Sequence, residues 1–505
     1  MKRTWVAAAA AALALVTFFW FPGHTWLQQD TQIYVPILEH QRDPSLLRND
    51  IIAQHPHDAF TLYDEVAIGL RAVTHLGFRE VLAAQQIVTR ALGIWGLILL
   101  AEALGLGAWE AFFVAAICSL GAVIAGPTVL TLEYEPTPRA FAVPLVMLAI
   151  GLAARHRYIG ASAAASIAFL YHAPTTLPFW AVFGVILLLR REWRAFAPIV
   201  FACVVLALAA LHQAEPGFYG RLTTAEEQLQ RMRASYVWIT AWPAARIVHW
   251  LIVLAVALIA ARRRAPLLIA IAIVGVATMP LSYVLLDRAK WALVPQIQPM
   301  RALLFTGLAM QFFAAVAAIQ SKRWWQSAGW FFAAYILTVQ PVLTEPWAWK
   351  PVAVVAVIAL LTAVRPIAAL AAFVAIPLVA GIVNYPNLQT PDLAQLSAWA
   401  SASTPKDAVF LFPDARRNVD PGIFRAEAQR ALYVDWKGGG QINYIKGFGE
   451  DWWSRWNQTM LARPTKALLP KYNGLGIEYI VVRPNDRLPI PALYENPSYV
   501  VYSTR

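Results

Sequence analysis

Asp30 is the residue of this chain whose type and place most invite chemistry. It follows the first apolar run, in His24-Thr-Trp-Leu-Gln-Gln-Asp-Thr-Gln-Ile-Tyr34, with Tyr34 four residues on. A carboxylate near a low-dielectric boundary can have its pKa raised and can act as a general base toward a hydroxyl. The same residue is also a good cap for a helix beginning at Thr31.

Two further acids stand in Glu133-Tyr-Glu135-Pro-Thr-Pro-Arg139. In an extended segment, acids separated by one residue point to the same side. They could hold a divalent cation, Mg or Mn, through oxygen ligands. They could equally anchor Arg139 in an interfacial loop. Carboxylates at such a boundary are costly unless paired or hydrated.

A third set is basic or polar and falls at predicted helix ends: Tyr171-His172, Arg288 and Lys290, and Gln298-Pro-Met-Arg301. Such groups suit a phosphate at a membrane surface, which Arg can bind bidentately. Singly, each also fits a snorkelling side chain that anchors a helix end. Arg90 lies about two turns inside an apolar run, which makes it a functional candidate or the partner of an acid. His55-Pro-His57-Asp58 lacks further ligands at a recognisable metal-site spacing. No Walker A, zinc-ligand or Gly-x-Ser-x-Gly pattern occurs, which argues against nucleotide hydrolysis.

The elements that must carry these residues follow from composition. Hydrophobic residues make up 59% of 505 and charged residues 14%, against roughly 25% in soluble domains. The mean hydropathy is +0.53. Apolar runs long enough to cross a bilayer recur, and in hydrocarbon they must be helices. The chain is read as an α-helical polytopic membrane protein with about thirteen transmembrane helices. They are expected near 5–21, 81–103, 109–128, 138–154, 158–172, 175–189, 195–212, 245–261, 265–286, 301–320, 325–340, 351–364 and 367–384.

The net charge of +12 is a topology signal rather than a nucleic-acid footprint. Alternate connections are short and basic: Arg155 and Arg157, Arg190-Arg191 and Arg194, Arg262-Arg263-Arg264, Lys322-Arg323, and Arg365. With the N-terminus inside, all fall on the cytoplasmic side, as the positive-inside rule requires. Met1-Lys2-Arg3 and the following run lack a small-residue cleavage site and read as an uncleaved first span. The two cysteines, Cys118 and Cys203, lie within expected spans, so no disulfide framework is implied.

Residues 1–385 are expected to form the transmembrane domain, with an outer loop at 22–80 whose 60–73 stretch reads as an interfacial amphipathic helix. Gln213 to Arg246 and Asp287 to Met300 are the other long outer connections. From 386 to 505 the composition is that of a small α/β extracytoplasmic domain, with strands expected at 408–412, 477–482 and 499–502. Gly438-Gly-Gly440 is expected to be a loop, lacking the context of a dinucleotide fingerprint.

This arrangement resembles the GT-C membrane glycosyltransferases, which have an acid in the first outer loop just after the first span, often with a nearby Tyr. Asp30 and Tyr34 match that pattern, and Glu133 and Glu135 match in position an acid-x-acid motif of the second outer loop. Segments 403–412 and 424–437 look like the outer domain of bacterial members. Asp30 is followed by Thr rather than a second acid, and the Trp-Trp-Asp acceptor motif of oligosaccharyltransferases is missing; Asp451-Trp-Trp453 is the reverse order.

The resemblance implies a polyprenyl-phosphate-linked sugar donor and an acceptor hydroxyl on a glycan, lipid or protein outside the plasma membrane. It makes Asp30 the catalytic base. Arg301, His172, Arg139 and Arg90 become the lipid-phosphate set, while Glu133, Glu135 and Tyr34 position the acceptor or, for the two Glu, hold a metal. It also implies an inverting displacement. The rival readings are a transporter or flippase of lipid-linked sugars and a non-catalytic envelope scaffold.

Overall fold

Small residues set how closely two central helices approach. Helix α4 (Phe78–Ala103) carries Gly93 and Gly96, and α6 (Pro138–Ala154) carries Pro144 and Gly151. A Cβ on Gly96 would lie 2.4 Å from the backbone of Leu148, and one on Gly151 would lie 2.1 Å from the Gly96 carbonyl oxygen. Such crossings let membrane helices pack on their backbones.

The computed structural model describes residues 2–57, 61–211, 220–339, 349–364, 375, 389–445 and 447–505. The α4–α6 pair is surrounded by α1 (Lys2–Phe19), α5 (Ala108–Cys118) and α7 (Tyr158–Arg190), and α8 (Ala197–Ala210) packs on α7. The bundle continues through α10 (Ala244–Ala261), α11 (Pro266–Ser282), α13 (Leu303–Gln320), α14 (Trp324–Ala334) and α15 (Trp349–Val364). Buried side chains of these helices form one continuous apolar core. Among the described residues six helical stretches are long and apolar enough to cross a membrane: Phe78–Ala103, Tyr158–Arg190, Trp193–Ala210, Ala244–Ala261, Pro266–Arg288 and Val294–Gln320. Shorter apolar helices accompany them.

Tyr158–Arg190 is a helical hairpin rather than one long rod. Its backbone leaves helical geometry at His172 (φ −159°, ψ 86°). The ring of Tyr158 sits 6.2 Å from that of Phe183, and the Arg190 guanidinium sits 5.8 Å over Tyr158. The two arms therefore run back to back, as the separate spans 158–172 and 175–189 require.

The apolar run 109–128 departs from expectation. Its helix stops at Cys118, and the chain turns at Gly121 (φ 78°) and Gly126 (φ 106°) into a small hairpin, β1 (Val123–Ile124) with β2 (Val129–Leu130). Pro127 follows Gly126 and donates no backbone hydrogen bond, so the run cannot continue as helix. Apart from residue 375, the expected span 367–384 lies outside the described residues, as does Asp58.

The basic turns gather at one end of the bundle. Arg155 bonds Glu102 at the end of α4, and Arg264 donates to Gln320 at the end of α13, 2.6 Å away. Exposed Trp109, Trp193, Trp324 and Trp325 flank the same turns, as interfacial aromatic residues do.

At the other end lies a five-stranded sheet in the order β4-β3-β5-β7-β6. Its strands are β3 (Val409–Leu411), β4 (Ala431–Leu432), β5 (Tyr479–Val482), β6 (Tyr494–Glu495) and β7 (Val500–Ser503). β3 runs parallel to β4 and β5, whereas β7 is antiparallel to β5 and β6. The first long loop belongs as much to this sheet as to the bundle. Ile33, Ile37, Ile51 and Ile52 share a core with Leu411, Trp452 and Val482, while Leu27 and Val35 share another with Leu396, Phe410 and Phe424. Packing thus crosses the boundary that composition draws between 1–385 and 386–505.

A buried ion cluster fixes this union. Arg425, fully buried, donates to Asp435 at 2.8 Å and to the Gln32 carbonyl at 2.9 Å, and lies 3.8 Å from Asp50. Asp50 in turn accepts from the backbone N–H of Leu432 at 2.9 Å. Helix α2 (Thr31–Arg42) is thereby held against the sheet at its first turn. Helix α3 (Tyr63–Thr74) turns a half-buried face inward and leaves Leu70, Val73 and the following Leu76 exposed.

Candidate active site

A cavity of about 840 Å³ opens between the bundle and the sheet, at the end away from the basic turns. Asp30, Tyr34, Glu133, Glu135, Arg139, His172 and Arg301 all line it. These residues come from four separate stretches of chain.

Asp30 occupies the N-cap position of α2, yet its side chain makes no capping bond. Glu135 does that work instead. The backbone N–H groups of Gln28 and Gln29 donate to its Oε1 at 2.5 and 2.6 Å, and Thr31 N–H donates to Oε2 at 3.1 Å. Free N–H groups at a helix start favour an anion for both hydrogen-bonding and dipole reasons. With Glu135 filling that role, the Asp30 carboxylate turns to the cavity, 43% exposed.

There Asp30 Oδ1 accepts from Lys437 Nζ at 2.7 Å. Burial alone would raise the Asp30 pKa, but Lys437, with Arg139 and Arg301 farther off, outweighs it and holds the carboxyl well below the usual range. Glu135 shifts the other way: burial raises its pKa against the bonds from Thr31 and Gln29.

Glu133 accepts from Arg139 Nε at 2.6 Å and from Leu130 N–H at 3.2 Å, both at Oε1. A divalent cation takes its oxygen ligands from carboxylates and water, and here Glu133 Oε1 is spent on Arg139 and Leu130 N–H, and both Glu135 oxygens on backbone N–H groups. Among the described residues no group of three or more His, Cys, Asp or Glu could hold a metal ion. The pair as arranged does not fit a Mg or Mn centre; Glu135 is a backbone clamp and Glu133 an arginine anchor.

His172 reaches the cavity because the α7 hairpin folds at it. Its Nδ1 accepts from Thr175 N–H at 3.2 Å, which leaves Nε2 to carry the proton as a donor. Arg301 enters from the turn Pro299–Ala302, and its Nε is buried without a partner. Tyr34 stacks edgewise on His57 with ring centroids 5.4 Å apart. Burial pushes its phenol well above the ordinary value, so it stays protonated.

Of the expected phosphate set Arg90 lies elsewhere, as do Arg288 and Lys290, the other basic residues noted at helix ends. Arg90 is buried and donates to the carbonyls of Thr17, Gly23 and Glu133 at 2.9, 3.0 and 2.8 Å. It staples the end of α1 to the second loop and does not line the cavity. Arg288 donates to its neighbour Tyr283 at 2.7 Å, and Lys290 to Glu227 at 2.5 Å. A guanidinium inside an apolar run signals a need for partners, and backbone carbonyls meet that need here.

Other residues enter the site without having been marked as site residues in the sequence: Lys437, Arg233, Arg246, Gln441 and Tyr444 all line the cavity, as does His57, which the sequence offered only as a weak metal ligand. Arg233 donates to the Trp436 carbonyl at 2.7 Å and stacks on that indole at 4.6 Å. His57 Nε2 pairs with Gln441 Oε1 at 3.0 Å, and burial lowers the His57 pKa, leaving it neutral. Gly438–Asn443 is not a plain loop but a 3-10 helix, and a Cβ on Gly439 would lie 2.5 Å from the Trp452 ring. The glycine run was the available signal, since only glycine lets this segment pass so close to Trp452.

The remaining wall is apolar. Val123, Ile124, Val129 and Leu130 of the β1–β2 hairpin face the cavity, and Trp250 Nε1 holds the hairpin through the Ala125 carbonyl at 2.9 Å. A carboxylate, several cations and an apolar wall thus share one space. That arrangement suits an amphipathic anion and a hydroxyl.

The chain as a whole is similar in structure to ArnT from Cupriavidus metallidurans, solved by crystallography in the apo state, with a TM-score of 0.51 at 15% sequence identity. The similarity covers 100% of this chain and 99% of that one. Arabinofuranosyltransferase AftD from Mycobacteria, solved by cryo-electron microscopy, gives a TM-score of 0.49 at 18% identity, covering 100% of this chain and 40% of that one. Residues 391–458 match a family described as a domain of unknown function, DUF6798. No curated protein gives a significant sequence match.

Proposed function

From the GT-C glycosyltransferase fold that the chain shares with ArnT, we propose that it is a membrane glycosyltransferase. It moves a sugar from a polyprenyl-phosphate-linked donor to an acceptor hydroxyl on a glycan, lipid or protein. The observation that carries this reading is Asp30 facing a cavity that also holds Arg301, Arg139 and His172.

In the proposed reaction the acceptor O–H gives its proton to the Asp30 carboxylate as its oxygen forms a bond to the anomeric carbon. The bond from that carbon to the phosphate oxygen breaks, and the electron pair leaves with polyprenyl phosphate. Arg301 and the His172 Nε2–H stabilise the leaving charge, with Arg139 behind them; such electrostatic stabilisation is usually a large share of catalysis. The β1–β2 hairpin gives the first isoprene units an apolar wall.

Lys437 makes Asp30 a poor base while the two are paired, because an efficient base has a pKa near the working pH. Donor phosphate competes for the Lys437 ammonium, and its arrival frees the carboxylate. Asp30 then becomes basic only when the donor is in place.

The same reading puts residues 1–385 in the plasma membrane with a cytoplasmic N-terminus, and 386–505 on the outer face. The basic turns at the far end of the bundle support it through the positive-inside rule.

Cells carrying only Asp30→Asn test the proposal. Mass spectrometry of their lipids and envelope glycans is expected to reveal one polyprenyl-phosphate sugar accumulating and one sugar residue disappearing from the envelope. Lipid and glycan profiles identical to wild type would contradict it.

A further inference from the structure

Charge in the cavity is not balanced by the protein. Five basic side chains line it, namely Arg139, Arg233, Arg246, Arg301 and Lys437, against the three acids Asp30, Glu133 and Glu135. With His57 and His172 neutral, two positive charges remain over. A phosphodiester linking one sugar to a lipid carries a single negative charge.

The two excess charges have an address. Before a donor binds, Arg139 is paired with Glu133, Lys437 with Asp30, and Arg233 with the Trp436 carbonyl, and a phosphate that draws Lys437 from Asp30 leaves the sum of protein charges unchanged. Arg246 and Arg301 each have a buried Nε without a hydrogen-bond partner, and neither forms an ion pair among the described residues. Both side chains are half-buried overall, and it is the buried Nε of each that water does not reach. Leaving an ionised donor unsatisfied is costly, more so than for a neutral group. Arg425 also keeps a buried Nε without a partner, but its other nitrogens pair with Asp435 and the Gln32 carbonyl, whereas Arg246 and Arg301 have no acid beside them among the described residues.

The two guanidiniums also belong to different elements. Arg301 projects from the turn that precedes α13 and lines the same cavity as Asp30, the proposed reaction centre. Arg246 lies in the first turn of α10, whose start adds the favourable end of a helix dipole. It adjoins Trp242, which lies over Gly126 of the apolar hairpin, where a Cβ would come within 2.7 Å of the indole. Arg246 therefore stands where the hairpin and α10 meet.

We infer that the cavity binds two oxyanion groups, one at Arg301 and a second at Arg246. The inference rests on the proposed lipid-phosphate donor and deepens it. The second oxyanion belongs either to a diphosphate link in the donor or to an acidic group on the acceptor. Guanidinium geometry fits either a phosphate or a carboxylate.

Binding of farnesyl phosphate, farnesyl diphosphate and inorganic phosphate to the full chain in nanodiscs tests this, with wild type, Arg246→Gln and Arg246→Lys. If the donor supplies both charges, wild type prefers the diphosphate by about tenfold or more, as one further charge-assisted bond implies. Arg246→Gln then collapses that preference and Arg246→Lys retains part of it. If the acceptor supplies the second charge, wild type does not discriminate between the two lipids. Once loaded with farnesyl phosphate, it then binds inorganic phosphate, and Arg246→Gln does not.

Equal binding of both lipids, with no phosphate uptake by the loaded protein, would overturn the inference and leave the donor reading standing. So would a preference that Arg246→Gln leaves intact. Failure of either lipid to bind at all would instead count against the donor reading itself. Unfolding of Arg246→Gln would be seen in its melting curve, and Arg246→Lys then carries the test.

Discussion

Asp30 and Lys437 are 407 residues apart in sequence and 2.7 Å apart in space, carboxylate oxygen to ammonium nitrogen. The contact joins the first long loop to the C-terminal sheet region, and it closes one side of the cavity. Its existence depends on Glu135, which caps α2 so that Asp30 need not.

Replacing Asp30 with Asn keeps the shape and removes both the base and the Lys437 partner. Loss of a general base typically costs about 10²- to 10⁴-fold in rate. Transfer should fall within that range while farnesyl phosphate still binds, because Arg301 and His172 are untouched. Equal loss of binding and turnover would make Asp30 a structural residue.

The pH dependence has a definite sign. The Asp30 pKa is depressed in the folded protein, so its pairing contributes stability above the ordinary carboxylate range. That contribution is lost as pH falls through the depressed value. Lys437→Met leaves burial less opposed, and the Asp30 pKa rises. The acid limb of the rate profile should therefore move to higher pH in Lys437→Met, and turnover near neutrality should persist better than in Asp30→Asn. An acid limb that stays in place would separate Lys437 from the base.

Glu135→Gln tests the cap. An amide offers one acceptor oxygen where the carboxylate offers two, so at least one buried N–H among Gln28, Gln29 and Thr31 loses its partner. The expected cost is about 1–3 kcal/mol, read as a lower melting temperature, together with reduced turnover as Asp30 shifts. A normal melting curve with abolished turnover would instead mark Glu135 as a group that touches substrate.

Arg425→Met breaks the buried cluster and leaves Asp50 and Asp435 without their cation. Removing one member of a buried ion pair costs about 3–5 kcal/mol. Limited proteolysis should then cut more readily between α2 and the sheet. Unchanged proteolysis would mean that the shared apolar cores alone hold the union.

The acids and cations of the bundle side were legible because charge is scarce in an apolar chain and conspicuous at helix ends. Asp30, Glu133, Glu135, Arg139, His172 and Arg301 do meet in one cavity. What each does there was less legible. The choice of Glu135 rather than Asp30 as the cap depends on a tertiary contact across 104 residues. Lys437 stands in a turn, Arg233 at a helix end and Arg246 at a helix start, where basic residues are common, and no local pattern marks them. The helix break after Cys118 was written in Gly121 and Gly126-Pro127, but continuous hydrophobicity masked it.

The most direct measurement is release of polyprenyl phosphate from a polyprenyl-phosphate sugar by the purified chain in nanodiscs, wild type beside Asp30→Asn. The account predicts acceptor-dependent release by wild type and release at least about 10²-fold slower by the variant. Equal release by both proteins, across donors bearing different sugars, would contradict it.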